Sequence, residues 1–184
     1  MEKGEFAMTN VVLHEDPEVI HNKSLQRHGY VTVQVRRFID ADLNSDWTNI
    51  AKMKKNLLTN AGRDEFHNLC YLNDDTDTPK RGMGWIGLTE TNITPAVADT
   101  TLSGEITATT GLQRTDALTK THTSATNSST IEHTFTAGAV FTTVRGTALF
   151  NAGTAGIMSH EATFTSTALA LNDQLKVTYT LNLG

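Results

Sequence analysis

The chain is short of the groups that most protein chemistry needs. It has one cysteine, Cys70, in 184 residues, which excludes an internal disulfide and any zinc site built from several thiolates. Lysine and arginine total 15 against 20 acidic residues, a net charge of −5. The cations form no basic block, and phosphate binding needs clustered cations, so nucleic acid is not an expected partner. No apolar run approaches the roughly 20 residues of a membrane helix, so no membrane partner is expected either. Met1-Glu2-Lys3-Gly4-Glu5 is acidic with no apolar stretch behind it, which argues against a secretory leader. The sequons Asn22-Lys23-Ser24 and Asn127-Ser128-Ser129 then read as chance matches, and folding in a cytoplasm is the expectation.

What fills the chain instead is threonine and other small polar residues, above all after Thr89. Charged residues make up 19% and apolar residues 38%, a balance that suits pleated, half-exposed strands. The length fits one domain with a sizeable core. The clearest pattern is at the end: Leu175, Val177, Tyr179, Leu181 and Leu183 alternate with Lys176, Thr178, Thr180 and Asn182. Successive strand residues point to opposite faces, so this segment is a strand with one apolar and one wet face, started by the turn Asn172-Asp173.

Upstream, Asp16-Pro17-Glu18 has the form of a helix start and Gly29 that of its stop. His14, His21 and His28 recur seven apart, a spacing better suited to surface histidines than to a metal pair. Tyr30 to Phe38 alternates, with Val31, Val33 and Val35 on one face. From Asp46-Trp47, the residues Ile50, Met53, Leu57 and Leu58 follow helical spacing, with Lys52, Lys54 and Lys55 outside. Asn60-Ala61-Gly62 ends or kinks that helix, and a second helical segment runs from Arg63 to Tyr71, with His67 at its apolar boundary. Asp74-Asp75-Thr76-Asp77 lacks the glycine and the closing acid of a calcium loop and reads as a linker.

From Gly82 short strand-like runs alternate with turns: Trp85–Thr89, Leu102–Ala108, Gly111–Thr115, Ala117–Thr123, Thr130–Thr136, Ala139–Phe150, Ile157–Thr165 and Gln174–Leu183. Val144, Ala148 and Phe150 form one expected face, interrupted at Gly146 by a bulge or close backbone approach. Met158, His160, Ala162 and Phe164 form another. Asn151 to Gly156 is a hairpin loop with Gly153 and Gly156 at positive φ. The expected core is Trp85, Ile86, Leu88, Ile131, Phe135, Val144, Phe150, Phe164, Leu175, Val177, Tyr179 and Leu181. The pattern predicts a mainly β fold: an antiparallel β-sandwich, jelly-roll or immunoglobulin-like, with a helical segment and an N-terminal arm before it. The boundaries are 1–45 for the arm with its short helix and strand, 46–81 for the helical segment and linker, and 82–184 for the sandwich.

No catalytic or metal constellation stands out. His122, His133 and His160 sit on three different strands, so a shared zinc ion requires a pairing that sequence does not give. Ser103 and Ser159 lack a local motif such as G-x-S-x-G. Glu105, Glu132 and Glu161 are expected on solvent faces rather than as paired acids. No cofactor and no enzyme activity are expected.

Four stretches carry a resemblance: Asn56-Leu57-Leu58-Thr59-Asn60-Ala61-Gly62-Arg63-Asp64, Trp85-Ile86-Gly87-Leu88-Thr89, Ala148-Leu149-Phe150-Asn151-Ala152, and Asp173 to Leu183. In that order they resemble a loosely defined group of tailed-phage virion structural proteins, of tail-fibre-like or decoration type, over about residues 50–184. The resemblance implies a non-enzymatic particle protein whose N-terminal region docks to capsid, neck or tail. Such a protein repeats around a symmetry axis, is assembled in the host cytoplasm and has no active site. Its partners are copies of itself and other virion proteins. The expected face between copies is the wet side of the last strand: Lys176, Thr178, Thr180 and Asn182. A receptor- or glycan-binding adhesin module is the rival reading.

Overall fold

The computed structural model describes residues 28–38, 46–67, 82–122, 124, 126 and 128–182. Their strands are β1 (His28–Arg36), β2 (Thr48–Leu58), β3 (Trp85–Thr89), β4 (Thr115–Asp116), β5 (Thr119–His122), β6 (Ser128–Thr136), β7 (Phe141–Phe150), β8 (Met158–Leu169) and β9 (Gln174–Asn182), with one helix, α1 (Asn60–His67). All pairings are antiparallel, and the strands form one curled sheet in the order β4-β3-β7-β8-β2-β1-β9-β6-β5. The chain is therefore mainly β, as its alternation predicts.

β1, β6 and β9 show why. Val31, Val33, Val35, Ile131, His133, Phe135, Leu175, Val177 and Tyr179 are buried, while the residues between them stay partly exposed. Period-2 burial fixes the register, since a slip of one residue would turn every apolar side chain outward. β9 lies between β1 and β6, with Val177 level with Val33 on one side and His133 on the other.

β2 corrects the first helical expectation. Residues 48–58 form a strand, and the helix begins at Asn60, where a helix end was expected. The cause is visible in the register. Val31 pairs with Lys54 and Val33 with Ala51, then Gln34 with Asn49, so β2 carries an extra residue at each of two bulges. Met53 sits in the first bulge with a φ of 49° and is half exposed. Each bulge shifts the inward phase by one, and a strand so interrupted mimics helical spacing. β1 and β2, expected in an arm and a helical segment, are interior strands of the same sheet as residues 82–184. Gly29 lies in β1 rather than ending a helix. The helix expected from residue 16, His14 and His21, Cys70 and the linker 74–79 lie outside the described residues.

The two halves of the curl face each other across one core. β1, β6 and β9 supply one wall; β3, β7 and β8 supply the other with Ile86, Leu88, Val144, Leu149, Ala162, Phe164 and Leu169. The Tyr179 hydroxyl crosses the gap to Thr147 Oγ1 at 3.2 Å. β2 joins the halves: its first part pairs with β1, and Leu57 and Leu58 pair with Glu161 and His160 of β8. β4 and β5 are the two ends of the strand order yet lie two residues apart in sequence, so the stretch 115–122 ties the far edges together. Buried Ala117 in that tie donates its N–H to Gly84 O at 2.7 Å.

The β3-β7-β8 wall carries a second layer. Ala148, Phe150, Met158 and Leu102 form a separate cluster, with Trp85 and Ile93 against it. The expected faces are thus split: Val144 points to the main core while Ala148 and Phe150 point to the cover, and Ala162 and Phe164 are divided from Met158 in the same way. Register shifts between Val144 and Gly146, and between Leu149 and Phe150, produce the inversion. Gly146 is required by close approach, since a Cβ there would lie 2.8 Å from Thr89 Cγ2. The expected strands 102–108 and 111–115 are mostly this cover; Glu105 makes an isolated bridge to Thr89, and only Thr115 enters a strand. In the β7–β8 loop the positive φ values fall on Ala155 and Gly156.

Candidate functional site

Alternation in β1, β6 and β9 has a second product besides the core: an outward face of polar side chains in cross-strand rows. Thr180 lies between Tyr30 and Thr130, Thr178 between Thr32 and Glu132, Lys176 between Gln34 and Thr134, and Gln174 between Arg36 and Thr136. Strand geometry spaces such rows about 7 Å apart along the strand and the columns about 4.8 Å apart. The side chains are partly exposed throughout, apart from exposed Thr136. Thr178 Oγ1 donates to Glu132 Oε2 at 2.7 Å, and Thr32 Oγ1 accepts the N–H of Met53 at 3.1 Å. At the β1–β2 side Trp47 takes two cations, Lys176 Nζ at 4.7 Å and the Arg36 guanidinium at 5.3 Å from the ring centre. Arg36 Nε is buried there without a hydrogen-bond partner.

The residues singled out in β9 thus stand at the centre of a larger face. The flanking columns Tyr30, Thr32 and Gln34, and Thr130, Glu132 and Thr134, were not assigned from sequence because strand pairing is not local information. The period-2 pattern in Tyr30–Phe38 and Thr130–Thr136 was the available signal. The expected core residues Ile86, Leu88, Ile131, Phe135, Val144, Phe150, Phe164, Leu175, Val177 and Tyr179 are buried, whereas Trp85 and Leu181 are only partly so. Trp85 lies on the covered face with Gly153 against its ring, and Leu181 is near the end of β9.

The other candidates do not converge. His122 is exposed on β5, its Nδ1 3.0 Å from Ser128 O. His133 lies inward against Phe135, ring centres 4.5 Å apart, and burial pushes its imidazole below the ordinary value. His160 is buried beside Ser159 Oγ at 3.0 Å, and burial lowers it to about 4. Among the described residues no group of three or more His, Cys, Asp or Glu is placed to hold a metal ion. Ser159 Oγ is committed to Leu149 O at 3.1 Å.

The three glutamates occupy three settings. Glu132 is on the polar face. Glu105 forms a two-pronged pair with Arg114, Nε to Oε1 at 2.6 Å and Nη2 to Oε2 at 2.5 Å. Glu161 corrects the expectation of a solvent face, being 2% exposed beneath the cover. Arg114 also stacks on the Phe150 ring at 3.4 Å and donates Nη1 to Ala155 O at 2.6 Å and Ala152 O at 3.2 Å. Beside it is an open cleft of about 420 Å³ lined by Glu105, Thr107, Gln113, Arg114 and Thr154 among others.

At the loop end of the curl, Asp173 ties three segments together. It is 1% exposed and accepts from Arg37 Nη1 at 2.6 Å, Phe38 N at 2.8 Å and Ala170 N at 2.9 Å. Burial alone would push its carboxyl up; the bonds from Phe38, Arg37 and Ala170 outweigh that and hold it below the ordinary value. Among the described residues no helix is long and apolar enough to cross a membrane.

Comparison of the chain with protein families, with curated proteins and with solved structures finds no match.

Proposed function

We propose that this chain is a non-enzymatic structural protein of a tailed-virus particle, assembled in the host cytoplasm. Its N-terminal region docks to capsid, neck or tail, and the β domain repeats around a symmetry axis. The two facing halves of the curl serve as the sandwich-like slab of that assembly, and the outward face of β1, β9 and β6 is the contact between copies. The observation that carries the reading is that face: three adjacent strands present rows of Thr, Gln, Glu, Lys and Tyr with little apolar surface. Short hydroxyl side chains keep a sheet face flat and lose little rotamer freedom on contact. Repetition around a closed symmetry turns individually weak polar contacts into avidity. The test is mass spectrometry of purified mature particles from the virus that encodes the chain. The protein should be present at a copy number set by a symmetry axis; its absence from the particles would end the reading.

A second reading, a glycan-binding module of a fibre, is favoured by the cleft beside the Glu105–Arg114 pair. Its volume of about 420 Å³ falls within the range of small-ligand sites, and Gln113, Thr107 and Thr154 offer hydroxyl and amide groups to a sugar. A glycan array with the full chain decides it: clear binding that Gln113→Ala removes would favour this reading over a purely structural one.

A further inference from the structure

Beneath the cover lies a group that the polar face does not use. Glu161 pairs in register with Leu57 of β2 and Ala148 of β7, which places it on the covered side with the Ala148 cluster. Asp99, in the segment above, is hydrogen-bonded to it. Asp99 belongs to a tight turn, accepting Ala96 N through Oδ2 at 2.8 Å and donating its own N–H to Ala96 O at 3.0 Å. Val97 O of that turn accepts Asn60 N at 2.7 Å, and Thr59 N donates to Ser159 O of β8 at 2.9 Å. Thr59 caps α1 by accepting Gly62 N at 3.0 Å, and Gly62 sits so close to the Ser159 backbone that no Cβ fits. The turn, the helix start and β8 therefore close over Glu161 together.

Two carboxyl groups hydrogen-bond to each other only while a proton lies between them. Glu161 Oε2 is buried with no hydrogen-bond partner, so nothing on that oxygen takes over when the proton leaves. Burial first, then the hydrogen bond and charge of Asp99, push the Glu161 carboxyl up to about 7. The charged groups on the surrounding elements do not relieve this. Lys54 of β2 gives its ammonium to Thr163 Oγ1 at 2.8 Å, and Arg145 of β7 gives Nε to Thr143 O at 3.2 Å. Glu90 in the cover segment accepts Thr143 N at 3.3 Å, and Asp64 of α1 is exposed. On Glu161's own strand His160 is held neutral by burial, down to about 4. Across the core, burial and then the Glu161 charge push the Tyr179 phenol up.

We propose that the Glu161–Asp99 pair is a proton-dependent clamp that holds the segment 96–104 on the outer face of β7 and β8. It is closed while the pair shares a proton and loosened when both carboxyls are ionised. The sign follows from the two states. In the closed state Glu161 titrates near 7, against 4.5 for a free glutamate. Closure is thus fully favoured below the lower value, weakens as pH rises through the interval, and levels off above the higher one. Opening should increase on the order of a hundredfold across it.

Hydrogen exchange of the full chain from about pH 5 to about pH 8, corrected for the intrinsic rate, tests this. Peptides spanning 96–104 should lose protection on the order of a hundredfold while β1 and β9 hold theirs. Glu161→Gln, neutral throughout, should remove the slope. Asp99→Asn should reduce it, because its amide donates to the ionised glutamate; this variant decides the matter if Glu161→Gln does not fold. An equal slope in wild type and the folded variant would overturn the clamp, as would protection lost equally from β1 and β9. Full restoration of protection at the higher pH by calcium chloride would also overturn it, by making the pair a cation site.

Discussion

The two walls of this core are both built from antiparallel strands, yet they obey different rules. In β1, β9 and β6 one face is buried and the other wet, so alternation is strict and the register runs without interruption from one end of β9 to the other. In β7 and β8 both faces are covered around Ala148 and Glu161, and the register breaks at three places. A wet face imposes the period of two, because a slip would expose the core. A strand covered on both sides loses that restraint and tolerates bulges that turn apolar side chains to either layer. The first wall is therefore free to present an interaction face, and the second is committed to holding its cover.

The comparison breaks most visibly under charge. Aspartate at Tyr179, inward on β9, and at Ala148, outward on β7, should each remove about 4 kcal/mol or more of folding stability, because both positions bury an unpaired carboxylate. Thr180→Asp, outward on β9, should stay within about 0.5 kcal/mol, and Thr178→Asp should cost about 1 kcal/mol through its neighbour Glu132. Urea unfolding measures all four; equal losses at Tyr179 and Thr178 would contradict the register. Next comes Phe150→Ala, which removes the ring under Arg114 and should cost about 3–5 kcal/mol. Leu181→Ala, partly exposed at the end of β9, should cost less than half of that. If the two were equal, the covered wall would be no better packed than the wet one.

Asp173→Ala should cost about 2–4 kcal/mol, since it strands Phe38 N and Ala170 N and removes the ion pair with Arg37. Its carboxyl is depressed in the folded state, so its contribution is present above the ordinary carboxylate range and fades as pH falls through it. Thermal scans at decreasing pH should show wild type losing stability that the alanine variant has already lost. A smaller effect than at Asp173 is expected at Met53, whose φ of 49° suits glycine. Met53→Gly should stay within about 1 kcal/mol and Met53→Val should lose about 1–2 kcal/mol. A neutral valine would argue against the bulge.

The same contrast explains what could be read from sequence. β1, β6 and β9 were legible because Val31, Ile131 and Tyr179 sit in clean alternations. β2 was read as a helix because its bulges place Ile50, Met53 and Leu57 at intervals of three and four. The faces of β7 and β8 were misassigned because Ala148 and Met158 are as apolar as residues of the main core, and composition does not say which layer receives them. Of the polar face, the column Lys176, Thr178, Thr180 and Asn182 was legible, while the columns beside it depend on pairing between segments far apart in the chain. Glu161 was placed in solvent because an acid in a threonine-rich strand ordinarily belongs there, and its cover comes from residues about 60 positions earlier.

The central claim is that the β1-β9-β6 face joins copies within a particle. Its most direct test is the incorporation of a Thr178→Arg, Thr180→Arg double variant into particles, beside wild type, after unfolding measurements have shown equal stability. The variant should fold normally and be missing from purified particles, because two added cations interrupt the centre of the contact. Incorporation at the wild-type level would contradict the claim and leave that face as ordinary solvent-facing surface.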